Sequence, residues 1–301
     1  MTNIIALCGK KSSGKNTLCN FLHGYQLKCY GIINDFYLDE KGRLVVNAKT
    51  LDENMQEFNA DMMIDVTRTD LEFGEWAAYN VWPFIKHYAF ASSLKEIAEK
   101  LFDIPRECLY GTDEQKNQIV PHLRWENMPG VITHKMVSSF MTGINTPIKT
   151  ANDYIEYDKD FTDVFKFIIH KPGPMTAREF MQFFGTEIMR KMYDNIWINR
   201  TIKDIETEGP QIAIISDCRF KNEAVALKQI GAKLVYLDRS VSASDSHSSE
   251  NGFDDFTDFD LVIPNSNMTV LDTCKALLEG IRSWDWLEKP VQKESGVKKI
   301  K

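Results

Sequence analysis

Apolar residues along the chain follow two periodicities, and their alternation lays out the fold. Ile4 to Cys8 is a continuous apolar run ending at a glycine, the pattern of a strand covered on both faces of a parallel sheet. Leu18, Phe21 and Leu22 then recur at helical spacing and predict a helix over Gly14 to His23. The same order returns further on. His87 to Phe90 reads as a strand, and Leu94 to Phe102 as a helix that Ser92 or Ser93 can cap. Thr176 caps a helix whose stripe of Ala177, Phe180, Met181, Phe184, Ile188 and Met192 runs through Met192, and another helix spans Ile196 to Thr207. Ile212 to Ile215 is a buried strand, Asn222 to Ile230 a helix stopped by Gly231, and Lys233 to Leu237 a further strand. Asp260 to Ile263 gives a last strand and Val270 to Trp284 the closing helix. Such alternation predicts an α/β fold with parallel strands joined by right-handed crossovers.

Two stretches break the rhythm. Ile32 to Asn47 holds two β-prone runs around Asp39-Glu40-Lys41-Gly42, a hairpin signal, and Lys49 to Glu75 is polar with little periodicity. Together they form an insertion at residues 31–75. A second insertion, residues 109–171, is rich in Asn, Asp, Thr and Pro and ends at the break Lys171 to Pro174. It is expected to hold mobile or substrate-covering parts. The strands from residue 4 to residue 263 are assigned to one sheet, so residues 1–287 are expected to be a single domain carrying both insertions. The tail, residues 288–301, has five lysines and no apolar periodicity, and is expected to fray.

Charge and cysteine content narrow the partners. Lys and Arg number 36 against 43 Asp and Glu, a net −7, which disfavours a nucleic-acid polymer bound over a broad basic surface. No apolar run reaches membrane-spanning length, so the expected location is the cytoplasm, with no membrane partner. Six dispersed cysteines without a Cys-x-x-Cys pair argue against zinc and for small buried apolar residues.

The chemistry starts at Gly9-Lys10-Lys11-Ser12-Ser13-Gly14-Lys15-Asn16-Thr17, which matches G-x-x-x-x-G-K between a buried strand and a helix. Glycines let successive N–H groups curl around one phosphate, the helix start adds its positive end, and Lys15 supplies a full charge. Asn16 stands where the strict pattern has Ser or Thr. A Mg²⁺ ligand is therefore offered either by the Asn16 carbonyl or by the Thr17 hydroxyl, directly or through water. Asp217, closing the Ile212 strand, is the candidate for a second magnesium contact; its plain alternative is an Asp that ends a strand. Lys95, on the first turn after a strand, is placed to reach a phosphate, unless it is a solvated helix lysine. Arg178, Gln182 and Gly185 share one line of their helix. Gly185 costs about 1 kcal/mol there relative to Ala, which points to close approach of a base or sugar, or to tight helix packing. Arg219 follows a strand end and either offsets phosphoryl charge or pairs with Glu223 four residues on.

These elements, with Phe90-Ala-Ser-Ser-Leu-Lys95, Arg178-x-x-Met181-Gln182-x-x-Gly185-Thr186, Trp197, Ser216-Asp217-x-Arg219-Phe220-x-Asn222-Glu223 and Asp245-x-His247 with Ser249-Glu250, run in order from residue 4 to about 283. In that order the chain resembles the deoxynucleoside monophosphate kinases of tailed bacteriophages. The resemblance implies a three-layer α/β/α P-loop fold with a mostly parallel central sheet. It also implies a kinase passing the γ-phosphoryl of ATP to a (deoxy)nucleoside monophosphate, with Mg²⁺ as cofactor, in nucleotide biosynthesis. Carried over by position, Lys11, Ser12, Gly14, Lys15, Asn16 and Thr17 would contact ATP phosphates. Lys11, Lys95, Arg178, Gln182, Gly185, Trp197 and Asp217 would line the monophosphate nucleotide site. Lys15, Arg178 and Arg219 would act on the transferred group, and Thr17 and Asp217 on the magnesium.

Water exclusion during transfer predicts a lid, sought in Thr112 to Pro129, where Lys116 and Arg124 would bring charge and Trp125 would stack on a base; a structural surface loop is the alternative. The expected partners are ATP and the monophosphate nucleotide. The residues leave base selectivity, ribose against deoxyribose and the oligomeric state open, a homodimer included. Two other functions stay in view: a P-loop kinase for a different small acceptor, and a non-catalytic nucleotide-binding protein.

Overall fold

The computed structural model describes residues 2–51, 55–68, 71–133, 168–239, 252–253 and 255–289. Strand β1 (Asn3–Cys8) is buried from Ile4 onward, which its unbroken apolar run requires. Helix α1 (Lys15–Cys29) runs past the expected end at His23. It continues through Gly24 because Phe36 packs there: a Cβ at position 24 would overlap the Phe36 ring.

The first insertion is more ordered than its composition suggested. Strands β2 (Asp35–Leu38), β3 (Leu44–Leu51) and β4 (Glu57–Ile64) form an antiparallel sheet in the order β2-β3-β4. The hairpin was legible, but β4 falls in the stretch read as lacking periodicity. Only Ile64 of its residues is buried, so there was no in-and-out alternation to read. Helix α2 (Leu71–Asn80) follows, holding Phe73 and Ala77 in the core.

Strand β5 (Ile85–Tyr88) and helix α3 (Ala91–Phe102) both begin earlier than expected. The cap on α3 is supplied from far along the chain. The Asp217 carboxylate accepts the backbone N–H groups of Phe90 at 2.8 Å and Ala91 at 3.0 Å, a role assigned from sequence to Ser92 or Ser93. Then come α4 (Arg106–Tyr110), α5 (Asp113–Lys116), β6 (Ile119–Arg124), β7 (Val131–Thr133), β8 (Ile168–His170) and β9 (Pro174–Thr176). Strands β6 and β9 pair antiparallel, β7 and β8 parallel.

Helix α6 (Ala177–Gln182) opens on Thr176 as predicted, in a reciprocal capping box with Glu179. It then passes into a π-helical segment, Phe183–Arg190, whose wider turns carry the apolar stripe out of register. Met192, expected at the end of that stripe, is 76% exposed. The chain closes with α7 (Ile196–Glu208), β10 (Ile212–Cys218), α8 (Lys221–Gln229), β11 (Lys233–Leu237), β12 (Leu261–Ile263) and α9 (Val270–Ile281).

The central sheet has five strands in the order β12-β11-β1-β10-β5, every neighbouring pair parallel, with helices around it, the expected α/β arrangement. Ile5 lies opposite Ile214, and Cys8 opposite Cys218. All five strands therefore end on one edge, the edge from which the glycine-rich loop after β1 departs.

Two compact units make up the chain: residues 1–92 with 197–301, and residues 93–196. The first holds the parallel sheet and a core in which Ile5, Leu7, Ile212, Ile214, Val235 and Leu237 meet Leu18 and Leu22 of α1 and Leu277 of α9. The second has its own core, built from Ala98, Ile104, Val120, Met175, Phe180 and Phe183 among others. Asp245, His247, Ser249 and Glu250, residues 134–167 and most of the basic tail lie outside the described residues.

Candidate functional site

Backbone strain shapes the glycine-rich loop. Gly9 (φ 138°) and Gly14 (φ 101°) take conformations closed to other residues, and Ser12 is held at φ 59°. A Cβ at Gly9 would lie 2.8 Å from the Leu237 carbonyl oxygen, so β11 leaves no room for a side chain there. Lys15, on the first turn of α1 and only 6% exposed, folds back over the loop. Its Nζ donates to the carbonyl oxygens of Gly9 at 2.7 Å and Lys10 at 2.5 Å, and to Ser13 Oγ at 3.3 Å. A buried ammonium is thus fixed at the start of a helix, where the axial dipole is also positive.

The neighbouring oxygen donors are set by other elements. Thr17 lies beneath the turn of the β2–β3 hairpin, where a Cβ on Gly42 would sit 2.5 Å from its Oγ1. Asn20 Nδ2 donates to the Gly42 carbonyl at 2.8 Å and ties the same turn to α1. Asn16 is exposed. Asp217, the penultimate residue of β10, beside β1, uses both carboxylate oxygens to cap the turn into α3. The residue before it, Ser216, lies 2.6 Å from His87 Nε2 through its Oγ.

Arg219 and Glu223 do not form the pair that spacing alone offered as the alternative. Glu223 Oε2 accepts the backbone N–H groups of Arg219 at 2.8 Å and Phe220 at 3.0 Å, so this carboxylate caps α8. Arg239, past the end of β11, places Nη1 3.5 Å from the Ser12 carbonyl. Trp197 is 4% exposed on α7 and is part of the protein interior.

Of the residues expected at the acceptor, the unit of residues 93–196 carries Lys95, Arg178, Gln182 and Gly185, while Lys11, Trp197 and Asp217 belong to the other unit. Lys95 Nζ lies 4.2 Å from the centre of the Tyr110 ring, and the Arg106 guanidinium lies 4.4 Å from the same centre. Arg178 is paired through Nη2 with Asp113 Oδ1 at 2.6 Å, while its buried Nε meets no acceptor among the described residues. The expected line of Arg178, Gln182 and Gly185 is split by the π-helical segment: Gln182 is exposed and Gly185 is buried. A Cβ at Gly185 would come within 2.6 Å of Leu94 Cδ2, so this glycine lets α3 pack closely. In the region where a lid was sought, Trp125 is 8% exposed and stacks on His170 with ring centres 3.8 Å apart, and Arg124 pairs with Glu126 at 2.7 Å. The Trp125 face is therefore used within the fold.

Residues 76–274, two thirds of the sequence, match the family described as deoxynucleotide monophosphate kinase. The chain belongs to that family. A protein of Acanthamoeba polyphaga mimivirus named "Putative deoxynucleotide monophosphate kinase" is 25% identical over 191 residues, covering 59% of this chain and 74% of the viral one. In this deoxynucleotide monophosphate kinase family member the family match begins after the glycine-rich loop, so the loop is a separate line of support for nucleotide chemistry.

Electrostatics of the family member's sheet-bearing unit favour charge handling over covalent chemistry. Burial pushes the thiols of Cys19, Cys218 and Cys274 above the usual range, keeping them protonated and poor nucleophiles at neutral pH. His23, buried on α1 with Nδ1 2.8 Å from the Cys19 carbonyl, is pushed down to about 3, chiefly by desolvation. Among the described residues no group of three or more His, Cys, Asp and Glu is placed to hold a metal ion, and no helix is long and apolar enough to cross a membrane.

Sequence reasoning passed over Asp113, Tyr110, Arg239 and Asn265. Asp113 sits inside a legible capping box from Thr112 to Gln115, but nothing local announces its bond to Arg178, 65 positions on. Asn265 lies just past β12, and nothing local announces that its Nδ2 donates to the Ser13 carbonyl at 2.9 Å from 252 positions away.

Proposed function

We propose that this chain transfers the γ-phosphoryl group of ATP to a (deoxy)nucleoside 5′-monophosphate, giving the diphosphate and ADP. The observation that carries the reading is Lys15, a buried cation held at the glycine-rich loop by the carbonyls of Gly9 and Lys10. Family membership supports a monophosphate nucleotide as acceptor.

In this reading the loop N–H groups and the α1 terminus take the ATP phosphates, and Lys15 exchanges its loop carbonyls for β- and γ-phosphate oxygens. Lys11, Ser12 and Gly14 line the same cradle. The hard oxygens of Thr17, on the first turn of α1, and Asp217, near the end of β10, suit Mg²⁺, which when bound with ATP neutralises phosphate charge. The Asp217 carboxylate already accepts two backbone N–H groups, so its remaining lone pairs favour contact through water. Arg178 exchanges Asp113, whose carboxylate is exposed, for the acceptor phosphate, with Lys95 as a second cation. Arg219 offsets the charge that develops on the transferred group. No side chain needs to form a covalent intermediate; the rate comes from alignment, charge and exclusion of water.

A panel of the common (d)NMPs, sugars and phosphorylated metabolites, each offered with Mg·ATP while ADP is followed, tests the assignment. ADP release that depends on a nucleoside monophosphate is expected. Stimulation by a different acceptor alone, or by none, would replace this reading with another kinase or with a nucleotide-binding protein.

A further inference from the structure

Asn265 is 5% exposed and lies past the end of β12, in the same unit as the glycine-rich loop. Its backbone N–H donates to the Asp238 carbonyl at 3.2 Å and its own carbonyl accepts from Met268 at 3.4 Å, so its backbone is anchored before the side chain acts. The side chain then reaches the loop: Nδ2 donates to the Ser13 carbonyl at 2.9 Å. The amide orientation follows from this contact, since a carbonyl can only accept. Oδ1 is buried and meets no donor among the described residues. A side chain that leaves half its hydrogen-bonding capacity unmet inside a protein costs stability, which directs attention to what the other half achieves.

The Ser13–Gly14 peptide is trans, so its C=O and N–H point in opposite directions. Holding the Ser13 oxygen toward Asn265 turns the Gly14 N–H away from it. Other groups of the loop are already committed: the Ser13 N–H donates to Lys10 at 3.3 Å, and the Gly14 carbonyl accepts from Leu18 at 3.0 Å. The Gly14 N–H has no backbone acceptor among the described residues. Gly14 itself is at φ 101°, a conformation the backbone would otherwise leave readily, and the Asn265 amide is 3.7 Å from where its Cβ would be. The side chain therefore holds the Ser13–Gly14 peptide in one orientation.

We propose that Asn265 is a positioning residue for the donor nucleotide: by gripping the Ser13 carbonyl it presents the Gly14 N–H to a phosphate of ATP. The proposal rests on the kinase reading for the identity of the anion, but it is tested by binding alone. Neither bond breaking nor proton transfer is asked of Asn265.

The test is calorimetric titration of the full-length protein, wild type, Asn265→Ala and Asn265→Asp, with Mg·ADP, alongside thermal melting and separate KM values for ATP and the acceptor. One hydrogen bond lost from a preorganised phosphate site is expected to weaken Mg·ADP about fivefold to tenfold in Asn265→Ala. The ATP KM is expected to rise by a similar factor while the acceptor KM stays within about twofold. Asn265→Asp keeps the shape but sets a carboxylate against the Ser13 carbonyl, so it should bind at least as weakly at neutral pH and recover part of the loss as the pH is lowered and the acid can donate. That recovery is one a general loss of folding would not produce. Wild-type affinity in both variants, or equal rises in both KM values with a lowered melting temperature, would overturn the proposal. Wild-type protein that binds Mg·ADP normally but transfers nothing would sink the kinase reading and leave Asn265 standing.

Discussion

Gly42 closes the β2–β3 hairpin directly against Thr17: a Cβ on the glycine would lie 2.5 Å from the threonine hydroxyl oxygen. An inserted sheet thereby touches the residue proposed to face magnesium, and it does so at a left-handed turn, φ 73°.

Gly42→Ala should therefore act twice. Left-handed backbone costs a non-glycine residue about 1 kcal/mol, and the new methyl group crowds Thr17. Chemical denaturation is expected to show a loss of about 1–2 kcal/mol. Kinetics are expected to show a higher KM for Mg·ATP with the acceptor KM unchanged. A variant with the lower stability but unaltered ATP kinetics would remove the insertion from the account of the donor site.

Gly185 separates packing from ligand approach. Its Cβ would meet Leu94 Cδ2 at 2.6 Å, a flexible side-chain end. Gly185→Ala should cost about 1 kcal/mol, overpacking offset in part by the better helix propensity of alanine. In the Leu94→Ala background the same substitution should become neutral or stabilising, and acceptor KM should move little in either case. A large rise in acceptor KM that persists in the double variant would instead place the acceptor against this glycine.

His23 makes stability pH-dependent. It titrates near 6.5 when unperturbed and near 3 in the fold, where burial disfavours the charged ring. Below pH 6.5 the unfolded chain binds a proton that the folded chain refuses, so the contribution is complete above that pH and is lost as acid approaches pH 3. His23→Gln removes the linkage. Urea unfolding of both proteins should show wild type losing roughly 2 kcal/mol relative to the variant between pH 7 and pH 5. Parallel pH profiles would mean that His23 is charged, or accessible, in the native protein.

The parts of the fold visible in the sequence are those written in consecutive residues. The run Ile4 to Cys8, the glycine pattern from Gly9 to Lys15 and the Thr176–Glu179 box each carry their signal within one element, and the structure has each in place. What was missed depends on partners far along the chain or on burial too shallow to leave a period. Asp217 was read as a magnesium contact or a strand end, but its cap on α3 spans 127 positions. The exposed edge strand β4 has only Ile64 buried, and the π-helical segment displaces Met192 without any local breaker. Trp125 had the right chemistry to stack on a base, but only the pairing of β7 with β8 shows that His170 already occupies its face.

Transfer of label from γ-³²P ATP is the most direct measurement of the central claim. With Mg²⁺ and a deoxynucleoside monophosphate, the label is expected in the corresponding diphosphate, and Lys15→Ala is expected to reduce that transfer by about 100-fold or more. Label released only as inorganic phosphate, or transfer that survives Lys15→Ala unchanged, would contradict it.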